Sequence, residues 1–257
     1  MTVDVASAND LEVPAQDVNM MRAVSWLIHG PSKGGKSTLA DSQPRPHLHF
    51  DAEGGMGTRF TPSRKKLWDP TKQQPPEPDG TWDTCVVHVR DYQTVRFGYD
   101  WLNSGQHPFK SVTLDSVSEI QQRGADSLVG TDAMKIQDWG QLLREVSALI
   151  RQFRDLANHP TRPIESVMFI AMTTHKDGKW RPSVQGQLAD RLPYYVDVCG
   201  YLWPEQVTDG TYVRRLLVSQ HPEYEAGERV GGRLGVVIDR PNIANMIDTI
   251  FAPAAAA

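Results

Sequence analysis

The most informative stretch of this chain is Gly30-Pro31-Ser32-Lys33-Gly34-Gly35-Lys36-Ser37, which matches the pattern G-x-x-x-x-G-K-S. An apolar run, Val24 to Ile28, precedes it and a helical pattern follows it, as a phosphate-binding loop requires. Glycines let successive backbone N–H groups converge on phosphate oxygens, and a helix starting near Lys36 adds the positive end of its dipole. The stretch therefore predicts a site for nucleotide phosphates.

Two side chains of this loop have distinct predicted tasks. Lys36 is expected to neutralise the β- and γ-phosphates, and the Ser37 hydroxyl to bind Mg²⁺, a hard cation that takes few protein ligands. We therefore predict ATP and Mg²⁺ as cofactors. The residues expected to hold the nucleotide are Gly30, Pro31, Ser32, Lys33, Gly34, Gly35, Lys36, Ser37 and Thr38.

Composition and charge narrow the function classes. The 257 residues are 39% hydrophobic and 23% charged, as in ordinary globular domains, and the net charge of −4 opposes coating of DNA by bulk electrostatics. No apolar run approaches the roughly eighteen residues of a membrane span, and residues 1–20 lack the features of a secretory signal, so the cytoplasm is the expected compartment. Cys85 and Cys199 lack a paired spacing and are expected to be buried thiols.

One domain, residues 21–251, is predicted between tails at 1–20 and 252–257. A Pro-rich stretch, 61–83, is predicted to be an irregular surface insertion. Apolar periodicity predicts a helix from Asp138, as its N-cap, to Ala157. Alternating short apolar runs indicate a βαβ order, with strands expected at Ala23–Ile28, His47–Phe50, Thr84–Val89, Ser111–Leu114, Val167–Met172 and Val196–Leu202.

Two carboxylates follow predicted strands. Asp115 ends an apolar run and is our candidate for the magnesium-side carboxylate, although an Asp in this position also serves as a helix N-cap and both roles can coexist. Glu53, in His49-Phe50-Asp51-Ala52-Glu53-Gly54-Gly55, could orient and deprotonate water, or could be a solvated loop carboxylate.

At this point the chain resembles the RecA-type core ATPases, through Asp51-Ala52-Glu53 and Leu114-Asp115-Ser116. With Gln137-Asp138-Trp139-Gly140 and Leu192-Pro193-Tyr194-Tyr195-Val196-Asp197, the order of motifs is similar to a phage-encoded group of minimal RecA-like ATPases that act as single-strand annealing recombination proteins. The resemblance spans about residues 22–238. It implies an α/β fold with a mainly parallel sheet flanked by helices, catalysis by Glu53, and a magnesium role for Asp115.

The same resemblance implies partners: single-stranded DNA, further copies of the chain in a ring or filament, and a single-strand DNA-binding protein. It also implies a sensor at Thr174 or His175, of which we choose His175 as the catalytic candidate. The stretch 175–186 is too polar for a strand and is predicted to be a mobile DNA-binding loop, or else a charged surface hairpin whose Trp packs on the body. Its DNA-contacting residues would be Lys176, Lys179, Trp180 and Arg181.

A second, weaker candidate for a DNA loop is the stretch Gln121 to Gln137. Arginines near the C-terminus could reach the γ-phosphate of a neighbouring subunit, as in many P-loop assemblies. Among Arg214, Arg215, Arg229 and Arg233, we choose Arg229 and Arg233 as trans-acting fingers. The stretch Ala226-Gly227-Glu228-Arg229 departs from the Lys-Arg pairing frequent in the family, so the identity of the finger stays open.

Two other functions remain compatible with the residues. A small-molecule or nucleoside kinase shares the phosphate-binding loop, and the Lys176 to Arg181 stretch could then act as its lid. Alternatively, nucleotide could hold an assembly together without being hydrolysed.

Overall fold

The computed structural model describes residues 22–57 and 63–253. The N-terminal tail and the last four residues lie outside the described residues. The strands are β1 (Val24–His29), β2 (His47–Asp51), β3 (Lys65–Leu67), β4 (Thr84–His88), β5 (Ser111–Asp115), β6 (Ser166–Ala171), β7 (Thr173–Lys176), β8 (Lys179–Pro182), β9 (Val198–Gln206), β10 (Tyr212–Leu217), β11 (Gly227–Glu228) and β12 (Val237–Asp239). The helices are α1 (Lys36–Ala40), α2 (Tyr92–Asn103), α3 (Val117–Val129), α4 (Ile136–Asp155), α5 (Leu188–Arg191) and α6 (Ile243–Ile250).

One large sheet organises the molecule, in the order β12-β10-β9-β1-β6-β5-β2-β4-β3, with β11 paired to β9. From β9 to β3 every neighbouring pair is parallel, whereas β10, β11 and β12 run antiparallel to their partners. The expected α/β fold with a mainly parallel sheet is confirmed, and each expected strand is present.

Side-chain alternation along the strands builds two cores. Leu27 and Phe169 face a core completed by α2, α3 and α4, whereas Ile28 and Ile170 face one completed by α1 and α6. Because successive residues of a strand point to opposite faces, a continuously apolar strand buries both faces and requires helices on each side. The result is three layers, with the carboxyl ends of the parallel strands together on one side of the molecule.

Two sequence predictions about helices are corrected. The long helix begins at Ile136, and Asp138 lies in its first turn, where its side chain accepts a 2.8 Å hydrogen bond from the Lys135 N–H. Asp138 is therefore not the N-cap itself. It is the third residue of the helix, and its side chain forms the capping-box hydrogen bond to the backbone of the N-cap, Lys135. The candidate loop 121–137 is largely helical, since α3 continues to Val129.

The stretch 175–186 contains a hairpin, as the second of its two predictions had it, and the expectation that it is too polar for a strand is wrong. β7 and β8 form an antiparallel hairpin in which His175 pairs with Trp180. Asp177 and Gly178 connect the strands, with φ values of 52° and 75°. An Asp-Gly pair with two positive φ angles is typical of a type I′ turn. This local signal predicts a hairpin despite the polar composition.

The Pro-rich segment is more integrated than predicted. β3 pairs with β4 at the edge of the sheet, and Trp68 and Trp82 are buried in the core against Phe109. Residues 61 and 62 of this segment lie outside the described residues. Cys85 and Cys199 are buried free thiols, as predicted, and burial raises the pKa of the Cys85 thiol to about 12. No helix within residues 22–57 and 63–253 is both long and apolar enough to cross a membrane.

Candidate nucleotide site

The loop between β1 and α1 depends on glycine at two positions. A Cβ on Gly30 would lie 2.1 Å from the carbonyl oxygen of Leu202 in β9, so the loop start packs directly on neighbouring backbone. Gly35 caps α1 with φ 98°, a left-handed conformation that side chains disfavour. The predicted strand-loop-helix arrangement is confirmed, with α1 beginning at Lys36.

Lys36 is the first residue of α1, and its side chain contacts this loop. Its Nζ donates hydrogen bonds of 2.9 Å to the carbonyl oxygens of Gly30 and Pro31. Burial lowers the pKa of the Lys36 ammonium, and the nearby carboxylates of Glu53 and Asp115 partly offset this effect. The ammonium is therefore held at the loop by backbone acceptors and by two acidic side chains.

The two predicted carboxylates lie at adjacent strand ends. In the β2–β5 pair Asp51 is aligned with Asp115, and the Ala52 N–H donates to the Asp115 carbonyl at 2.7 Å. Glu53 follows directly, and its Oε1 accepts a 2.7 Å hydrogen bond from the Ser116 hydroxyl. Because carboxyl ends of parallel strands form the ligand edge of an α/β sheet, both carboxylates lie beside the phosphate-binding loop.

The alternative roles of these residues can now be separated. The N-cap of α3 is Ser116, whose Oγ accepts from the Glu119 N–H at 3.3 Å, so Asp115 does not cap the helix. Asp51 is structural: its buried carboxylate accepts from the N–H groups of Gly55 and Met56 and so shapes the turn that carries Glu53.

A buried histidine lies next to Asp115, the candidate magnesium-side carboxylate. His49 Nε2 lies 3.3 Å from Asp115 Oδ2, and both side chains are almost completely buried. Sequence reasoning missed this residue. A signal was present, because His49 occurs two residues before the end of a strand that is buried along its whole length, where an imidazole needs a polar partner.

These groups line one cavity of about 830 Å³. Its walls include every residue expected to hold the nucleotide except Gly34, together with Glu53, Gly55, Asp115, Met172, Thr173, Trp180 and Arg214. Oxygen donors from Ser37 and Asp115 suit Mg²⁺, which prefers hard ligands and retains waters. The donor set thus fits the predicted metal, and the cavity has room for a nucleotide.

The hairpin residues divide between two sides. Thr173 and Trp180 face the nucleotide cavity, whereas the exposed His175 does not line it and contacts the Trp180 ring at a tilted angle, with ring centroids 5.0 Å apart. Lys179 and Arg181 face a separate cavity, where they pair with Glu225 at 3.1 Å and Asp190 at 3.4 Å. The structure therefore does not bring Lys179, Trp180 and Arg181 together on one surface.

Of the four C-terminal arginines, Arg214 lines the cavity of its own chain. Arg229 pairs with Asp197 at 2.8 Å, and Arg233 donates to the carbonyl oxygens of Ile250 and Ala252. Both chosen trans candidates are thus held by contacts within the chain, which would have to break before either could reach a neighbouring subunit.

Comparison with known families agrees with this geometry. A family model described as AAA domain matches residues 22–230, which is most of the chain. This chain belongs to the AAA domain family. The matched region of this AAA domain contains the phosphate-binding loop, both carboxylates and Arg214, and membership indicates a nucleotide-binding ATPase of the P-loop class. No curated protein matches the chain.

Proposed function

We propose that this AAA domain hydrolyses ATP. The observation that carries the proposal is the hydrogen bond from Ser116 to Glu53, which holds a carboxylate at the mouth of a cavity formed by the phosphate-binding loop and Asp115. In the proposed reaction, Glu53 accepts a proton from water while the water oxygen bonds to the γ-phosphorus. The bond to the β,γ-bridging oxygen then breaks, leaving ADP and phosphate.

Other residues of the chain would prepare this step. Lys36 and the loop N–H groups would bind phosphate oxygens, while Ser37 and Asp115 would hold Mg²⁺, which neutralises charge on the phosphates when bound. His49 would keep the Asp115 carboxylate oriented. Because Glu53 itself is exposed, water can reach its carboxylate.

Phosphate release with Mg²⁺ and ATP, and without an acceptor, tests this proposal. Glu53→Gln is expected to slow release by ~10²- to 10⁴-fold, the usual contribution of a general base, while ATP binding persists. Glu77→Gln, an exposed glutamate in the Pro-rich segment, is the control and should match the wild type. Binding without turnover in the wild type would contradict the proposal and favour a nucleotide-dependent assembly protein. Release that requires a small-molecule acceptor would favour a kinase.

We further propose that single-stranded DNA is the substrate on which hydrolysis acts, with annealing of complementary strands by a homo-oligomer as the outcome and a single-strand DNA-binding protein as a partner. The support is the resemblance to annealing proteins and the position of the β7–β8 hairpin. Lys176 at its tip is exposed and pairs with no acidic side chain among residues 22–57 and 63–253. DNA phosphates could replace the carboxylates that now neutralise Lys179 and Arg181.

Hydrogen bonds link this hairpin to the nucleotide loop. His29, the residue before Gly30, lies 3.1 Å from the Thr173 hydroxyl and 2.7 Å from the Glu225 carbonyl oxygen. The Thr173 hydroxyl is also 3.1 Å from the Arg181 carbonyl oxygen. Burial lowers the pKa of His29 to about 4, so the ring is neutral at pH 7 and donates through Nε2 to the carbonyl. Through these contacts, nucleotide bound at the loop would alter the hairpin.

An oligonucleotide titration of the ATPase tests the DNA proposal. Single-stranded DNA should raise phosphate release, and Lys176→Ala should reduce this stimulation without lowering the rate in the absence of DNA. Lys72→Ala, at an exposed lysine in the turn after β3 that pairs with Asp69, is the control. An unchanged rate at saturating DNA in the wild type would contradict the proposal and leave the ATPase proposal intact.

A further inference from the structure

Arg214 occupies a place in the nucleotide cavity that neither the sequence motifs nor the family match assigns. It lies on β10, an antiparallel strand distant in sequence from the phosphate-binding loop. A Cβ built on Gly35 would lie 2.1 Å from Arg214 Nε and 2.6 Å from its Cδ. The guanidinium therefore lies directly against the backbone that begins α1.

The pleat of β10 gives adjacent arginines different surroundings. Arg215 points to the opposite face, where it pairs with Glu205 at 3.0 Å and with Asp239 at 3.1 Å. Arg214 pairs with no acidic side chain in the described parts of the chain, and it lines the cavity shared by Lys33, Lys36, Glu53 and Asp115. Its charge is thus available to a ligand, whereas the charge of Arg215 is already neutralised.

The position of the Arg214 guanidinium against Gly35 also indicates which part of a bound nucleotide it would contact. In a phosphate-binding loop the backbone N–H groups cradle the α- and β-phosphates, while the lysine reaches the β- and γ-phosphates. Arginine presents a rigid fork of donors that suits phosphate oxygens better than a lysine would. Position 35 then requires glycine for two reasons. Its backbone is left-handed, and the Arg214 guanidinium fills the space that a side chain would need.

We propose that Arg214 is a phosphate-binding residue acting within its own chain, on the α- and β-phosphates common to ATP and ADP. It would add the positive charge needed opposite Lys36 and would close the cavity over the loop from the β9–β10 side. This role differs from that of a trans-acting finger, which contacts the γ-phosphate and distinguishes ATP from ADP. The inference rests on the proposed use of the cavity for ATP.

Calorimetric titration with Mg²⁺–ADP and with a non-hydrolysable Mg²⁺–ATP analogue tests the assignment. Arg214→Ala should weaken both by a similar factor, ~10- to 100-fold, as expected for loss of hydrogen bonds to a charged group. Arg214→Lys should recover part of the loss, since it restores charge without the fork. Arg215→Ala, on the next residue, should bind both nucleotides as the wild type does.

The outcomes separate the inference from the proposed function. If Arg214→Ala binds both nucleotides like the wild type, the inference is wrong while the ATP site stands. If only the ATP analogue is weakened, Arg214 acts on the γ-phosphate and the assignment to the α- and β-phosphates is wrong. If the wild type binds neither nucleotide, the proposed ATP function itself fails. Thermal unfolding without nucleotide checks that each variant folds.

Discussion

Ser116 shows how one side chain can serve both the fold and the proposed chemistry. Its hydroxyl donates to Glu53 and accepts from the backbone N–H of Glu119, so the same oxygen orients the candidate base and caps α3. Full burial of Ser116 removes competing water from this pair of hydrogen bonds. The orientation of Glu53 therefore depends on a residue with no chemical role of its own.

Replacing Ser116 by alanine should affect hydrolysis and stability together. We expect slower phosphate release with little change in nucleotide affinity, because Glu53 loses its donor while the phosphate-binding loop is untouched. Loss of the cap should lower the free energy of unfolding by about 1 kcal/mol. Kinetics and urea unfolding measure the two effects. Ser127→Ala, on the exposed side of the same helix, is the control, and a variant indistinguishable from it would contradict this role.

At the level of elements, the close packing of α2 on the sheet leaves no room for a side chain at position 98 of the helix. Gly98 lies inside α2, and a Cβ there would come within 2.4 Å of the Phe50 ring, which is fully buried in β2. Glycine has a weak helix propensity, but it fits here because the Phe50 ring fills the space that a Cβ would need. This contact holds α2 against the strand that leads to Glu53.

The substitution Gly98→Ala should therefore destabilise the protein although alanine favours helix. We expect a loss of about 1–3 kcal/mol in the free energy of unfolding, as for overpacked core positions. The matched change is Gly140→Ala in α4, where the nearest atom to a Cβ is Arg144 Nη1 at 3.7 Å. That variant should gain up to ~1 kcal/mol from helix propensity. Urea titrations of both variants measure these changes, and a stable Gly98→Ala protein would refute the packing argument.

Across the whole molecule, buried histidines connect stability to pH. Burial lowers the pKa of His29 and of His107 to about 4, and it lowers the pKa of His47 well below the usual value. In the unfolded chain these imidazoles bind protons near pH 6.5, whereas in the folded chain they bind protons only at a much lower pH. Protons therefore favour the unfolded state as the pH falls from about 6.5 to about 4.

The free energy of unfolding should accordingly be lower at pH 5 than at pH 7. His29 alone accounts for about 2 kcal/mol of this difference in the free energy of unfolding, because its pKa is about 4 in the folded chain and about 6.5 in the unfolded chain. Urea unfolding at both pH values measures it. His107→Gln should reduce the pH dependence, whereas His175→Gln, on the exposed hairpin, should keep it. Equal stability of the wild type at the two pH values would show that the buried rings are already accessible to protons.

The amino-acid sequence alone determined the phosphate-binding loop, the two carboxylates at the ends of β2 and β5, and the parallel sheet. These features are local, because the spacing of residues along one segment carries both the motif and the strand that presents it. The hairpin at Asp177-Gly178 also had a local signal, and a surface hairpin was one of the two predictions for that stretch.

Only the tertiary structure decided which distant side chains share the site. Arg214 reaches Gly35 because β10 folds back on β9, and the pleat then directs Arg215 to the acidic pair on the other face. In the same way Trp180 faces the nucleotide cavity while its neighbours along β8 face another. Successive side chains of a strand point to opposite faces of the sheet. Which face each side chain takes depends on how the strand pairs with its neighbour, and this pairing is a long-range contact that no local pattern specifies.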